Sequence, residues 1–174
     1  ILLITGGTGS FGQTVVTRFL NLNLKEIRIF SRDELKQDEM RIKFNDPKLK
    51  FYIGDVRDIK SIADAFSKVD CVFHAAALKQ VPSSEFFPLE AIKTNTIGTE
   101  NVIECCIQKN VRKFVLLSTD KAVYPSNIMG ASKRVSELYM QSYFNHSKDI
   151  NTNFAIVRFG NVLESSGSVI PKFK

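Results

Sequence analysis

The feature that most constrains the fold is a regular alternation of short apolar runs and longer helical stretches along all 174 residues. The apolar runs are nearly continuous in Val, Ile, Leu and Phe, as in parallel strands that are buried on both faces. Strict alternation of strands with helices implies right-handed crossovers. The chain is therefore predicted to form a doubly wound parallel sheet, which is an α/β fold.

The same pattern gives the bounds of the elements. Strands are predicted at Ile1–Thr5, Glu26–Phe30, Lys50–Ile53, Cys71–Ala75, Phe114–Ser118 and Phe154–Arg158. Helices are predicted at Ser10–Leu22, Asp33–Phe44, Ile59–Lys68, Pro88–Gln108 and Asn127–Phe144. No repeat, low-complexity tract or Pro-rich linker divides this series, so residues 1–174 are expected to form one domain.

Composition excludes several classes of protein. Apolar residues make up 44% of the chain and charged residues 24%, which argues against wholesale disorder. No apolar run reaches the roughly 18 residues that a membrane-spanning helix needs. The net charge of +6 is scattered along the sequence, which weakens the case for a nucleic-acid partner and leaves a membrane surface, a phosphorylated small molecule or simply a solvated surface.

The metal-binding and redox residue types have no diagnostic spacing. Cys71, Cys105 and Cys106 contain no Cys-x-x-Cys pair, and we interpret them as reduced packing residues in a cytoplasmic compartment. His74 and His146 lie far apart in sequence. No metal site is expected.

The ends of the chain suggest a piece of a longer protein. It begins at Ile1 within an apolar run and without an initiator Met, and it ends at Lys174 directly after Val169-Ile170-Pro171. A leader or membrane segment upstream would be invisible in this sequence.

A glycine-rich segment, Thr5-Gly6-Gly7-Thr8-Gly9-Ser10-Phe11-Gly12, follows the first predicted strand and opens the first predicted helix. Glycines at this point allow a tight turn, close approach to a pyrophosphate and close packing of helix on strand. The amino terminus of the helix offers free N–H groups and a positive dipole end. The order of strand, loop and helix favours dinucleotide binding over a simple glycine-rich turn. The expected contacts are Gly6, Thr8, Gly9, Ser10, Phe11 and Gly12.

The end of the second strand predicts the type of dinucleotide. The sequence Phe30-Ser31-Arg32-Asp33-Glu34 places a hydroxyl and a guanidinium where a 2′-phosphate would lie, and Lys36 follows. NADP is therefore favoured, with NAD as the alternative. Asp33 has a second interpretation, since it also fits the cap of the next helix.

Two further strand ends complete the expected cofactor site. Asp55 and Val56 follow the third strand, where a carboxylate can accept a hydrogen bond from the adenine amino group. The small residues Ala75, Ala76 and Ala77 follow the fourth strand and would let the nicotinamide ribose lie against backbone. Simple close packing explains these alanines equally well.

The fifth strand ends in the candidate reacting centre. Thr119, Asp120 and Lys121 place a hydroxyl, a carboxylate and an ammonium in succession beyond the carboxyl end of a strand. The alternative is a polar loop in which Asp120 caps a turn. Downstream, Met129 and Lys133 stand four residues apart and share one helix face.

At these motifs the chain resembles the extended short-chain dehydrogenase/reductases that modify nucleotide sugars. It is most similar to the polysaccharide-biosynthesis group of UDP-N-acetylglucosamine 4,6-dehydratases, over nearly the whole chain. The segments that carry the resemblance are Thr5–Gly12, Ser31–Glu34, His74–Pro82, Ser118–Val123, Arg158–Val162 and Gly167–Pro171. The segments Ser118–Val123 and Ala77–Pro82 are more specific than the glycine motif.

The resemblance implies a Rossmann-like NAD(P)-binding domain from which the C-terminal substrate part is largely missing. It implies a UDP-sugar partner, a homo-oligomer, and no nucleic acid or membrane contact within this segment. The implied location is the cytoplasm, either as a soluble enzyme or as the cytoplasmic domain of a membrane-anchored protein. It also adds Lys79, Asn95 and Lys133 to the cofactor contacts, and Lys79 and Asn161 to the substrate contacts.

One departure from the wider superfamily affects the chemistry. Most members use a Tyr-x-x-x-Lys pair, and here Met129 stands at the tyrosine position with Lys133 retained. A thioether cannot take up a proton, so the resemblance points to Thr119 as the helper at the sugar C4. Tyr124 lies nearby, but its place in the turn does not match the tyrosine position.

The reaction implied by the resemblance has three stages. The sugar is oxidised at C4, water is eliminated across C5 and C6 with Lys121 as base and Asp120 as acid, and hydride returns to C6. A UDP-hexose 4-epimerase is the alternative enzyme, and a non-catalytic NADP-binding regulatory module is the alternative outside catalysis.

Overall fold

Six parallel strands form one sheet in the computed structural model, which describes residues 1–146 and 150–161. The strands are β1 Leu2–Thr5, β2 Ile27–Ser31, β3 Leu49–Ile53, β4 Cys71–His74, β5 Lys113–Thr119 and β6 Asn153–Phe159. Their order across the sheet is β3-β2-β1-β4-β5-β6. The chain starts in the middle, winds to one edge and then returns to the other, which confirms the doubly wound α/β fold.

The helices lie between the strands as predicted. They are α1 Ser10–Phe19, α2 Glu34–Phe44, α3 Ile59–Ile62 with a 3₁₀ extension Ala63–Phe66, α4 Val81–Phe86, α5 Pro88–Ile92, a π-helical turn Lys93–Ile97, α6 Gly98–Gln108, a 3₁₀ turn Asp120–Ala122, and α7 Ile128–His146. The short α4 has no counterpart in the prediction. None of the described helices combines the length and apolar character that crossing a membrane requires.

The core has two layers because alternate strand residues face opposite sides of the sheet. Leu2 and Ile4 of β1 pack with the helices on one side, α1 and α2, where Val16 and Met40 are buried. Leu3 between them faces the other side, where α3, α6 and α7 cover the sheet. Both faces are therefore apolar, as the continuous apolar runs predict.

The loop between β1 and α1 depends on glycine at two positions. Gly6 has a φ of +66°, and a Cβ there would lie 2.7 Å from the Cα of Ala76. A Cβ on Gly12 would lie 2.1 Å from the carbonyl oxygen of Gly7. These contacts involve backbone atoms, so a larger residue would push α1 away from the sheet.

A buried chain of hydrogen bonds crosses the end of the sheet beside this loop. The Thr99 hydroxyl donates to the backbone carbonyl of Asn95 at 2.6 Å, so it accepts from Nε2–H of His74 at 3.0 Å. The Nδ1 atom of His74 then accepts from the Thr5 hydroxyl at 2.6 Å. His74 is completely buried, and burial together with the charge of Lys133 lowers its pKa to about 3. The imidazole is therefore neutral near pH 7.

We expect Gly12→Ala to destabilise the protein by about 2 kcal/mol or more, because the added methyl group overlaps the Gly7 carbonyl and the backbone must move. Urea unfolding measures the effect. Gly160→Ala is the matched control, since its Cβ would lie 3.8 Å from the nearest side-chain atom, an ordinary contact. Equal stabilities of the two variants would contradict this account of the packing.

The buried imidazole of His74 should make the folded protein less stable in acid. His74 is neutral when folded, with a pKa of about 3, and the unfolded chain takes up the proton near pH 6.5. The contribution of His74 to the free energy of unfolding is therefore fully present above pH 6.5. It decreases as the pH falls towards 3, by up to about 1.4 kcal/mol per pH unit. Unfolding of wild type and His74→Gln at several pH values measures it. The stability advantage of the wild type should shrink in acid, and a constant difference would contradict the prediction.

Candidate active site

A cavity of about 830 Å³ lies over the carboxyl ends of the strands, where the sheet reverses its winding between β1 and β4. Ligands bind at this point in doubly wound sheets. The predicted site residues that line the cavity are Gly6, Thr8, Gly9, Ser10, Phe11, Ser31, Arg32, Asp33, Lys36, Asp55, Val56, Ala75, Ala76, Ala77, Lys79, Thr119, Lys121, Lys133 and Asn161. Gly12, Asn95 and Asp120 are predicted site residues that do not line it.

The glycine-rich loop forms the floor of the cavity at the amino terminus of α1. Gly9 caps the helix with extended backbone, and its N–H donates to the carbonyl of Gly6 at 3.1 Å. No acidic residue occupies the first turn of α1. The positive dipole end of α1 at this loop favours an anion, as the motif predicts. Gly12 contributes by letting the helix approach the loop.

The end of β2 carries the residues expected to select NADP. The Ser31 hydroxyl accepts from the backbone N–H of Asp33 at 3.2 Å and contacts the Thr8 hydroxyl at 2.8 Å, which joins this strand end to the glycine loop. Asp33 caps α2 by accepting from the backbone N–H of Lys36 at 3.0 Å. Its carboxylate also pairs with the Lys36 ammonium at 2.7 Å. Hydrogen bonds from Lys36 hold the pKa of Asp33 below its usual value.

The end of β3 holds a cluster of charges around Asp55. Its carboxylate pairs with Arg57 at 2.6 Å and with Arg32 at 3.4 Å, and Arg57 also contacts Glu90 on α5 at 2.5 Å. Burial acts to raise the pKa of Asp55, but hydrogen bonds from Arg57 and the charge of Arg32 outweigh it and lower the pKa. Arg57 was not predicted as a site residue, although its position two residues after Asp55 is a sequence signal for this contact.

The loop after β4 forms one wall of the cavity. The N–H of Ala75 donates to the carbonyl of Thr5 at 3.0 Å, and the Ala76 backbone lies so close to Gly6 that no side chain fits at Gly6. Asn95 was predicted to contact the cofactor, but it is completely buried behind this wall. Its side chain accepts from the N–H of Leu78 at 2.8 Å and donates to the Leu78 carbonyl at 3.0 Å. The π-helical turn directs Asn95 to this position, so the residue holds the wall and does not line the cavity.

The end of β5 brings the candidate acid and base together. The Lys121 ammonium lies 3.1 Å from Asp120 and 3.4 Å from the side-chain oxygen of Asn161 at the end of β6. The Thr119 hydroxyl donates to Asp120 at 2.9 Å. Hydrogen bonds from Lys121 and Thr119 lower the pKa of Asp120. Lys121 lines the cavity, whereas Asp120 does not and has 57% of its side chain exposed.

Helix α7 supplies Met129 and Lys133 to the same cavity, one turn apart as predicted. Both are buried, with 5% and 6% of their surface exposed. Burial lowers the pKa of Lys133 to about 8, although the charge of Glu137 opposes this effect. Tyr124 is 91% exposed and does not line the cavity, in agreement with the sequence argument against it.

Phe159 at the end of β6 lines the cavity and was not predicted. Its ring packs against that of Phe11, a predicted site residue that also faces the cavity, with ring centroids 5.7 Å apart. Val162 and Gly167–Pro171, which carry part of the family resemblance, lie outside the described residues. Within the described ranges, no three His, Cys, Asp or Glu side chains converge on a site that could hold a metal ion.

Comparison with known proteins places this geometry in a family. The family model described as "Polysaccharide biosynthesis protein" matches residues 2–174. A UDP-glucose 4-epimerase from Rickettsia felis is 57% identical over 176 residues, which cover 99% of this chain and 52% of that protein. The chain thus spans about half the length of the curated relatives that it matches.

Solved structures agree on the fold. The structure of Pen from Bacillus thuringiensis is 40% identical with a TM-score of 0.96, and the match covers 99% of this chain and 54% of that one. A UDP-glucose 4-epimerase from Thermus thermophilus in complex with NAD is 27% identical with a TM-score of 0.78, covering 90% and 54% of the two chains. The chain therefore belongs to the polysaccharide biosynthesis protein family and has the Rossmann-like fold of nucleotide-sugar epimerases and dehydratases.

Proposed function

We propose that this chain is the cofactor-binding and catalytic part of an NADP-dependent nucleotide-sugar 4,6-dehydratase that acts on UDP-N-acetylglucosamine. The observation that carries the proposal is the contact between Lys121 and Asp120 at 3.1 Å, with Lys121 facing the cavity. Elimination of water across C5 and C6 needs a base and an acid at adjacent carbons. This pair supplies both from neighbouring positions.

The residues around the cavity fit a dinucleotide. Gly6 and Gly9 of the glycine loop line the cavity beside the amino terminus of α1, which favours a pyrophosphate there, and the contact of Gly6 with the Ala76 backbone leaves no place for a side chain at Gly6. Thr8, Ser31 and Arg32 would hold the adenosine ribose and its 2′-phosphate. Bound NADP would supply the hydride acceptor for C4 and the hydride donor for C6.

The first proton step is removal of the C4 hydroxyl proton. Met129 has no group that can accept it, and the Thr119 hydroxyl lies in the cavity with its own proton directed to Asp120 at 2.9 Å. Thr119 can therefore accept a hydrogen bond from the sugar hydroxyl and relay a proton to that carboxylate. The Lys133 ammonium would hold the nicotinamide ribose and favour the developing negative charge nearby.

The elimination step uses Lys121 and Asp120 together. Once Thr119 has relayed the C4 hydroxyl proton, Asp120 is a carboxylic acid, and Lys121 acts as a free amine after it has released one proton to solvent. The amine removes the C5 proton, which the C4 ketone has made acidic, and the acid protonates the C6 hydroxyl as it departs as water. The Lys121 ammonium returns its proton to C5 when C6 is reduced, and the amine then takes up a proton from solvent, so both side chains regain their starting charges.

A UDP-hexose 4-epimerase is the second candidate, because the 57%-identical relative carries the name UDP-glucose 4-epimerase. Epimerisation requires reversible oxidation at C4 and rotation of the sugar. It leaves the pairing of Lys121 with Asp120 without a chemical role, and we therefore prefer dehydration.

We expect Lys121→Met in the full-length protein to lower dehydration of UDP-N-acetylglucosamine by about 10²-fold to 10⁴-fold, the usual range for loss of a general base. Cofactor affinity should change little, because Lys121 lies at the sugar end of the proposed site. Mass spectrometry measures the product as a sugar that has lost one water. Lys25→Met, which removes an exposed lysine outside the cavity, is the control.

The product also separates the candidate functions. Wild-type protein that forms only the 4-epimer would refute the dehydratase proposal in favour of the epimerase. A protein that binds the dinucleotide and converts no UDP-sugar would support the regulatory module.

The cofactor preference has its own test. We expect Arg32→Ala to weaken NADP binding by about tenfold or more, the worth of a charge-assisted hydrogen bond to phosphate, and to change NAD binding little. Isothermal titration with both dinucleotides measures the ratio. Arg41→Ala removes a guanidinium from α2 outside the cavity and is the control. An unchanged ratio would mean that Arg32 does not contact the 2′-phosphate.

A further inference from the structure

Glu137 on α7 is a completely buried carboxylate that does not line the cavity. It accepts two hydrogen bonds from Arg158 on β6, from Nε at 2.8 Å and from Nη2 at 2.6 Å, and a third from Arg134 at 3.0 Å. Burial alone would raise the pKa of Glu137, but the guanidinium contacts outweigh it and lower the pKa. The carboxylate is therefore a fixed buried anion at neutral pH.

The two-pronged contact with Arg158 connects α7 to the cavity. Arg158 is followed directly by Phe159, Gly160 and Asn161, which line the cavity. Asn161 contacts the Lys121 ammonium at 3.4 Å. An anchor on Arg158 thus fixes the backbone that carries these three residues.

The charge of Glu137 also acts on Lys133, one helical turn earlier on the same face. The other charged or titratable groups to consider are His74 on β4, which is neutral and interacts electrostatically with Lys133, and Arg134 on α7 and Arg158 on β6, which both bind the Glu137 carboxylate. Asp120 and Lys121 follow β5, where Lys121 lines the same cavity as Lys133. Asp120 is more than half exposed, so solvent weakens its effect. Glu137 is buried, and its charge opposes the loss of the Lys133 proton that burial favours.

We propose that Glu137 is a positioning residue for this site, which orients the cavity-lining end of β6 through Arg158 and keeps Lys133 in its ammonium form. It touches neither cofactor nor sugar. The second role rests on the proposed function, because that function assigns Lys133 to the nicotinamide ribose.

Two variants of the full-length protein separate charge from geometry. Glu137→Gln keeps the shape and removes the charge, whereas Glu137→Asp keeps the charge and shortens the side chain. NADPH affinity is measured by fluorescence between about pH 6.5 and 9.5, a range that spans the titration of Lys133. The alkaline midpoint at which affinity falls should move towards acid by roughly half a pH unit or more in Glu137→Gln and stay near wild type in Glu137→Asp. Arg134→Gln, which leaves the carboxylate in place, should also keep the wild-type midpoint.

Binding of UDP-N-acetylglucosamine tests the contact with Arg158. We expect the dissociation constant to rise several-fold in Arg158→Lys, which keeps a cation but loses the two-pronged geometry. The NADPH midpoint should not move in this variant. Arg158→Lys retains the Glu137 carboxylate, so this variant still tests the inference if the Glu137 variants fail to fold.

Glu137→Gln could melt at a lower temperature and yet keep the wild-type NADPH midpoint and the wild-type affinity for the sugar. That result would show that Glu137 has only a structural role, and it would overturn the inference. Unchanged sugar binding in Arg158→Lys would overturn the role of β6. The NADPH titration needs no turnover. A normal midpoint shift in a protein that forms no dehydrated sugar would refute the proposed function and support the role of Glu137.

Discussion

The close approach of α1 to the glycine loop is the contact on which the site depends. The Cα of Gly12 lies so near the Gly7 carbonyl that no side chain fits between them. This packing brings the amino terminus of α1 to the place where the winding of the sheet reverses. The same loop presses Gly6 against Ala76, so the first and fourth strand ends share one backbone surface. A cavity whose floor is the glycine loop and the positive amino terminus of α1 follows from these two contacts.

Charged side chains around the cavity pair with one another. Three ion pairs have N···O distances of 3.4 Å or less: Arg32 with Asp55, Lys36 with Asp33, and Lys121 with Asp120. These pairs are at least partly exposed, so each is worth little by itself and exchanges partners at small cost. Binding a phosphate can therefore draw Arg32 away from Asp55 without unfolding anything. The buried ions Lys133 and Glu137 are different, because moving them would leave an uncompensated charge in the core.

The parts of the site that follow from local sequence could be predicted. Each strand end predicted from an apolar run places its next residues at the cavity, which accounts for the positions of Ser31, Thr119 and Lys121. The parts that depend on distant residues could not. The pair of Glu137 and Arg158 spans 21 residues, and nothing in either local pattern marks it. The family resemblance implies that Asn95 contacts the cofactor, and no helix pattern reveals the π-helical turn in which its amide binds Leu78.

The loss of tyrosine at Met129 bears on the choice between dehydration and epimerisation. Both reactions begin by oxidising C4, so both need a proton acceptor there, and the substitution disfavours neither. They differ at the next step, where an epimerase must release the 4-keto sugar from its contacts to rotate it. A base in contact with C5 competes with that rotation, because it removes the acidified proton from the sugar as first bound. In the proposed dehydration Lys121, which contacts Asp120 and Asn161, would be such a base, and this role would favour elimination over rotation.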